Sequence, residues 1–490
     1  MYTLQHIGEY ILDFLTTPNG TLQFVTLTFW AAFVVFFALY LLCRCLSRRL
    51  MLAYVTLFSL FFAYNTNGLL MLLLPATILV SWALTEALRR CSGGGRKAML
   101  WLIVILDLLP LLFFKYGRPL GDVWNEMLAS NFSLPSIAMP VGISFYTFQA
   151  ISYTADVYRR RFTERASLLE YAFYLSFFPL LLAGPITRAE TLIPQLKRPV
   201  APKAVRVYTG LWLIILGLLK KGLIADYIAE YNNWIFENPM AYSGFEDMMG
   251  LVGYALQIYC DFSGYSDLSI GIAALLGFRL RENFSYPYQS LNMTEFWHRW
   301  HISLSFWFRD YVYIPLGGNR KGAFRTYVNN FLTMVVAGLW HGSTCMFAIW
   351  GALHGAALVI HKMCRRWLDY IPNVFFVRVL AWMLTFSYVL VTWSFFRADS
   401  LQTVNALWYN IRTTFSWDYL VPFVLARPVW TLFVALGFLF HAVHRRGYDF
   451  LLRAFVRSPW IVKCLVFAIV VQLIINFRQD TVQPFIYSQF

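Results

Sequence analysis

The chain has 490 residues, of which 59% are apolar, 19% aromatic and 13% charged. A soluble protein carries about 25% charged residues, so the composition excludes one and describes an integral membrane protein. Forty basic against twenty-five acidic residues give +15; on a soluble chain that would point to nucleic acid, but here the bases gather at the ends of apolar runs, as the positive-inside rule expects.

The first twenty residues lack a basic stretch before an apolar core and a small-residue cleavage site, so no signal peptide is expected to be removed. The first span reads as Thr26 to Leu42. Apolar runs near 26–42, 51–64, 69–87 and 99–114 are long enough to cross a bilayer, at about 20 residues per span. Arg44, Arg48 and Arg49 follow the first run, and Arg89, Arg90, Arg96 and Lys97 the third, whereas Asn65 to Asn67 after the second carry no charge. The amino terminus is therefore predicted outside, and Arg159, Arg160, Arg161 and Arg165 read as a further cytoplasmic loop.

Residues 177–188, FFPLLLAGPITR, put Pro179, Gly184 and Pro185 at membrane depth between basic flanks at Arg165 and at Lys197 and Arg198. Both flanks read as cytoplasmic, which predicts a re-entrant hairpin whose broken backbone is sheltered by protein or by a water-filled cavity. Further runs lie near 207–224, 247–276, 328–340, 346–361, 378–396, 428–443 and 459–477. The expected architecture is all-α and polytopic, one domain over 1–490 with about eleven spans plus re-entrant helices. No internal repeat or low-complexity segment is visible. Seven cysteines, odd in number and without C-x-x-C spacing, suggest neither a disulfide framework nor a zinc site.

Ionisable residues at membrane depth are costly and usually mark function. His298 and His301 sit in EFWHRWHISLSFWFRDYVYIPLGG, residues 295–318, with Trp297, Trp300, Trp307, Arg299, Arg309 and Asp310. At i and i+3 on one helix the two histidines would share a face, and Glu295 would pair with Arg299 at i+4. Anchoring of an interfacial helix by these residues is the competing structural reading. His341 and His354 sit in GLWHGSTCMFAIWGALHG, residues 338–355. On one straight helix they would stand roughly 20 Å apart along the axis, too far to share a metal, and four scattered histidines fall short of a diiron site; no metal is expected. A lone imidazole deep in an apolar helix suits proton transfer, and His341, beside Trp340, could take a proton from a hydroxyl attacking a thioester, its apolar surroundings keeping it neutral. Gly338 and Gly342 would leave room for substrate. A structural histidine is the alternative.

Residues 254–271, YALQIYCDFSGYSDLSIG, place Gln257, Asp261 and Asp267 among apolar and aromatic neighbours, where carboxylates must be paired or hydrogen-bonded. Asp261 with Arg281 is one candidate pair. Taken alone, the segment fits an ion site of a transporter equally well.

These stretches, in order, resemble the membrane-bound O-acyltransferase family in its alginate O-acetyltransferase membrane-subunit branch. The matches are 177–188, 254–271, 292–322 and 338–355, with weaker ones at FFKYG (113–117), KKGLIAD (220–226) and WSFFRADS (393–400). The resemblance implies a thinned helical disc with a tunnel from a cytosolic donor entrance to an extracytoplasmic acceptor face. It puts the family's characteristic histidine on His341 and its second polar member on His301, with Trp297, His298, Trp300, Trp307, Trp340, Asp261 and Gln257 along the tunnel. The donor implied is acetyl-CoA, with no bound cofactor, and a soluble extracytoplasmic SGNH-type transferase and a cell-envelope glycan are the implied partners, in the bacterial cytoplasmic membrane among its lipids. Arg299, Arg309, Arg320 and Lys321 are the candidates for the donor's phosphates. The closing residues, QPFIYSQF at 483–490, resemble a carboxy-terminal F-x-Y-x-Q-F signature of such systems and nominate Tyr487 as an acyl relay, with an aromatic membrane anchor as the alternative. D-alanyl transfer to teichoic acid, a transporter using Asp261, Asp267 and the histidines, and a non-catalytic scaffold are the competing functions.

Overall fold

Thr26 starts the first helix by accepting the Phe29 N–H on its hydroxyl at 3.3 Å, which satisfies one of the orphan donors any helix start exposes. Along the helix, Leu27–Leu46, the buried residues Phe29, Phe33, Phe36 and Tyr40 recur every three or four positions and form one stripe. Val34, Val35, Leu41 and Leu42 point away from it and are exposed; apolar surface in such density suits lipid and not water. Ser47 then caps the next helix, Arg48–Asn67, and the ring of Phe178 rests on Phe36 and Phe58 at 5.3 and 5.1 Å.

The computed structural model describes residues 16–18, 20, 22–128, 139–198, 202–368, 370–372, 374–477 and 485–486, and all regular structure among them is helical. They form two compact units, one of residues 1–210 with 269–281, the other of 211–268 with 282–490. The protein is an all-α polytopic membrane protein. Among the described residues seven helical stretches are long and apolar enough to cross a membrane, or eight if the pair Trp417–Ala426 and Pro428–Ala442, bent by 105°, is one broken span. By length and composition this count is lower than the expected eleven. The runs 51–64 and 69–87 lie in one helical stretch, Arg48–Arg90, and those near 247–276 and 328–340 fall in helices with polar residues among the apolar ones, including Asp261 and Asp267 in the first and Asn329 and Asn330 in the second.

In the first unit the segment 177–188 breaks where its prolines and glycine predict. A helix, Leu168–Ser176, ends at Phe177, a single turn covers Phe178–Leu181, and the next helix begins at Ala189. Phe177 to Thr187 are buried throughout, so protein shelters the irregular backbone.

In the second unit helix Gly322–His341 ends at His341, Gly342 is extended (φ −161°, ψ 168°), and a new helix, Cys345–Leu368, follows. Residues 338–355 are thus not one helix. A Cβ on Gly338 would lie 2.2 Å from the Phe347 carbonyl oxygen and one on Gly351 2.4 Å from that of Met334, so the two helices meet backbone to backbone. One on Gly342 would lie 2.0 Å from the Phe347 ring. The space expected for substrate at Gly338 and Gly342 is filled by the protein itself.

Candidate active site

Asn292 caps the short helix Met293–Arg299 by accepting the Glu295 N–H at 2.9 Å, and Glu295 and Arg299 form the ion pair their spacing predicts, at 2.6 Å. The helix stops there. Trp300 is extended and His301 takes left-handed backbone (φ 42°, ψ 56°) before helix Ile302–Phe308 begins. Such a conformation costs a residue with a side chain about 1–3 kcal/mol, and strain of this kind gathers at functional sites. Because the helix ends between them, His298 and His301 do not share a face: His298 is exposed and His301 fully buried.

Asn283 orients His301. Its Oδ1 accepts from the Ser303 N–H at 3.1 Å and the Ser303 hydroxyl at 2.8 Å, and faces His301 Nδ1 at 3.2 Å, while its Nδ2 donates to the Ser266 hydroxyl at 3.2 Å. An amide oxygen only accepts, so the proton of this imidazole belongs on Nδ1 and the lone pair on Nε2. The Ile302 N–H donates to the Asn283 carbonyl at 2.9 Å and fixes the turn.

Trp340 connects the two motifs. Its ring centroid lies 6.4 Å from that of His301 and 4.9 Å from that of His341. His341 is buried against Trp350 and Phe396, at 5.0 and 5.2 Å. Trp350 in turn touches His354 at 4.7 Å, so the helix break brings both histidines of this motif onto one indole. Trp297 closes on Trp350 and His354 at 5.8 and 5.1 Å, and Trp300 on Trp393 at 5.0 Å. Trp307 packs on Phe308 and Tyr311 at 5.5 and 5.2 Å.

Beside this cluster runs helix Gly244–Leu275. A π-helical turn at Leu219–Ala225 presents two consecutive lysines to it, and glycine makes the approach feasible: a Cβ on Gly264 would lie 2.9 Å from the Lys221 main-chain nitrogen. Lys220 pairs with Asp267 at 2.7 Å; Lys221, buried, pairs with Asp226 at 2.8 Å and with Asp261. Asp261 is therefore held by Lys221, which corrects the candidate partner Arg281, a residue of the other unit. Its second oxygen accepts the main-chain N–H of Ile486 at 2.9 Å. Phe485 packs on Tyr265 and Phe262 at 4.8 and 5.6 Å, and Phe262 sits edge-on to His301 at 4.5 Å. The carboxy-terminal motif thus begins on the helix that borders His301; Tyr487 itself lies outside the described residues.

Gln257 accepts from Asn232 at 2.9 Å, one turn along from Asp261. Of the four bases nominated for donor phosphates, Arg299 is paired with Glu295 and Arg309 with Asp310 at 2.7 Å, while Arg320 and Lys321 are exposed. No group of three potential ligands for a metal ion occurs among the described residues. Sequence reasoning missed Asn283, Lys220 and Lys221 as site residues. The double lysine within an apolar run was the available signal for two of them, since buried ammonium groups demand carboxylates; an asparagine in a loop offers no comparable signal.

Comparison with known proteins identifies the family. Residues 20–402 match the model of the membrane-bound O-acyltransferase family, MBOAT. The chain is similar to the probable alginate O-acetylase AlgI of Pseudomonas aeruginosa, 39% identical over 394 residues, covering 78% of this chain and 73% of the relative. Similarity extends to the peptidoglycan O-acetyltransferase of Helicobacter pylori, 34% identical over 382 residues with 71% of each covered. With the teichoic acid D-alanyltransferase of Bacillus subtilis it shares 28% identity over 302 residues, covering 58% of this chain and 74% of the relative. A polytopic helical chain in which the stretches 292–322 and 338–355 meet at two buried histidines, and whose residues 20–402 match the family, is an enzyme of the membrane-bound O-acyltransferase family.

Proposed function

We propose that this acyltransferase carries an acetyl group from cytosolic acetyl-CoA across the bacterial cytoplasmic membrane for O-acetylation of a cell-envelope polysaccharide, with Tyr487 as relay and a soluble SGNH-type transferase as receiver. One observation carries the reading: the carboxy-terminal segment is seated through Phe485 and Ile486, the two residues before Tyr487 in sequence, on Asp261 and on Phe262, whose ring touches His301. The relatives named as O-acetylating enzymes favour acetyl over D-alanyl transfer.

In this mechanism the Tyr487 hydroxyl gives its proton to an imidazole as its oxygen attacks the thioester carbonyl. The carbon–sulfur bond then breaks, and the departing thiolate takes the proton back as the thiol. The product is an aryl ester, activated because a phenol with a pKa of about 10 leaves more readily than an alcohol. The indoles of Trp297, Trp300 and Trp340 keep out water that would hydrolyse the donor. We assign His341 as the base and His301 as the group that positions the acceptor. A reversed assignment is favoured by one observation, the Asn283 contact that leaves the lone pair of His301 on Nε2, since an oriented imidazole is the usual form of a general base.

The experiment is labelled acetyl-CoA offered to purified protein. Wild type should retain label as a base-labile ester, and Tyr487→Phe, which keeps the ring and deletes the nucleophile, should retain none while still binding donor. Wild-type glycan acetylation in cells carrying only Tyr487→Phe would sink the relay and leave the tail as an anchor.

A further inference from the structure

A cleft in the first unit has no part in the chemistry above. It encloses about 600 Å³ and is lined by Arg44, Arg198, Arg206, Arg279 and Arg281 together with Gln195, a size within the roughly 300–1,000 Å³ of small-molecule sites. Three separate stretches of sequence deliver the five guanidinium groups: the end of the first apolar helix, the segment around 191–206 and the loop 276–281. Among the described residues no carboxylate lines the cleft. The two acids next to it in sequence, Glu190 and Glu282, are not among the lining residues, and Glu282 pairs with Arg445 at 3.2 Å.

The cleft is also built. Gln195 grips the loop at both ends of its amide, Oε1 accepting the Arg279 N–H at 2.8 Å and Nε2 donating to the Arg279 carbonyl at 3.0 Å. Arg206 donates to the Gly277 carbonyl at 3.2 Å, and Gly277, at φ +92°, supplies the backbone turn that residues with side chains rarely adopt. Positive charge near the cytoplasmic end of a span needs only topology to explain it, and lysine serves that purpose as well as arginine. A concave site lined by five arginines and no lysine is different, because the planar guanidinium fork matches phosphate oxygens two at a time. Gathering five like charges around one space without a counter-ion would be repulsive.

We propose that this cleft binds a phosphate-bearing anion. Two molecules present that chemistry at a membrane protein, the headgroup of an anionic phospholipid and the phosphates of coenzyme A. The second deepens the donor reading above, and the first stands apart from it.

Arg279 and Arg281 are exposed and lie outside the histidine cluster, which makes Arg279→Gln/Arg281→Gln the variant of choice, with Arg44→Gln as a second should the first unfold. Full-length protein in nanodiscs is titrated with free coenzyme A by calorimetry, and lipid retained from phosphatidylglycerol is counted by native mass spectrometry. Weakening of coenzyme A binding by about tenfold or more, the loss of at least one charge-assisted hydrogen bond, with lipid retention unchanged, assigns the cleft to the donor. Loss of retained phosphatidylglycerol with coenzyme A affinity unchanged assigns it to lipid. Equal binding of both probes by wild type and the variants, or binding of neither by wild type, overturns the proposal. Because the assay reads binding and not transfer, its result is independent of whether Tyr487 carries an acyl group.

Discussion

The main-chain N–H of Ile486 donates to the Asp261 carboxylate at 2.9 Å across 225 positions of sequence. The same carboxylate pairs with the buried Lys221, so one residue both neutralises an ammonium group and seats the carboxy-terminal segment. Asp261→Ala should expose both roles. Breaking a buried pair costs about 3–5 kcal/mol, and the lower end is expected because Asp226 still contacts Lys221. Carboxypeptidase should then remove the last residues faster than from wild type. Equal protection of the tail in Asp261→Ala would show that the seat is not used in the membrane.

Asn283 should behave as a positioning residue. Asn283→Ala removes the acceptor that fixes the His301 tautomer, and turnover should fall by roughly tenfold, the worth of one net hydrogen bond, with the donor KM little changed. Asn283→Asp keeps an acceptor and adds charge. A carboxylate beside imidazole favours the imidazolium, so if His301 takes the proton, the acid limb of the pH–rate profile should move to higher pH. An unmoved profile with wild-type turnover in both variants would return Asn283 to a structural role.

Replacement of His341 separates chemistry from packing. His341→Ala should lower transfer by about 10²- to 10⁴-fold, the usual worth of a general base. His341→Gln, nearer in volume against Trp350 and Phe396, should be as inactive while unfolding close to wild type. Should His341→Gln keep more than about a third of the activity, far above that range, proton transfer belongs to another group.

Gly338 tests the helix pair beneath the site. A methyl group there would meet the Phe347 carbonyl, and forcing backbones apart in a packed interface costs about 1–3 kcal/mol. Gly338→Ala should lower the thermal midpoint in detergent and, by moving His341, lower turnover too. Unchanged stability would mean that the two helices are less closely packed than they are here.

Much of this was legible in the sequence because the bilayer acts on averages. Few charges, long apolar runs and bases at their ends determine a polytopic helical protein whatever the packing, and the i, i+4 spacing of Glu295 and Arg299 determined their ion pair because a helix turn is a local object. The ordered motifs at 177–188, 254–271, 292–322 and 338–355 pointed to the family and to His301 and His341. Tertiary structure decided which polar groups meet. A helix ending at Arg299 turned His298 outward and His301 inward, and the break at Gly342 brought His341 and His354 onto Trp350, where periodicity alone set them roughly 20 Å apart. Lys220 found Asp267 across 47 positions, and Ile486 found Asp261 across 225. Burial imposes a partner on each such group, but which partner depends on close approach between helices, set here by single glycines such as Gly264, and no local pattern in the sequence records that.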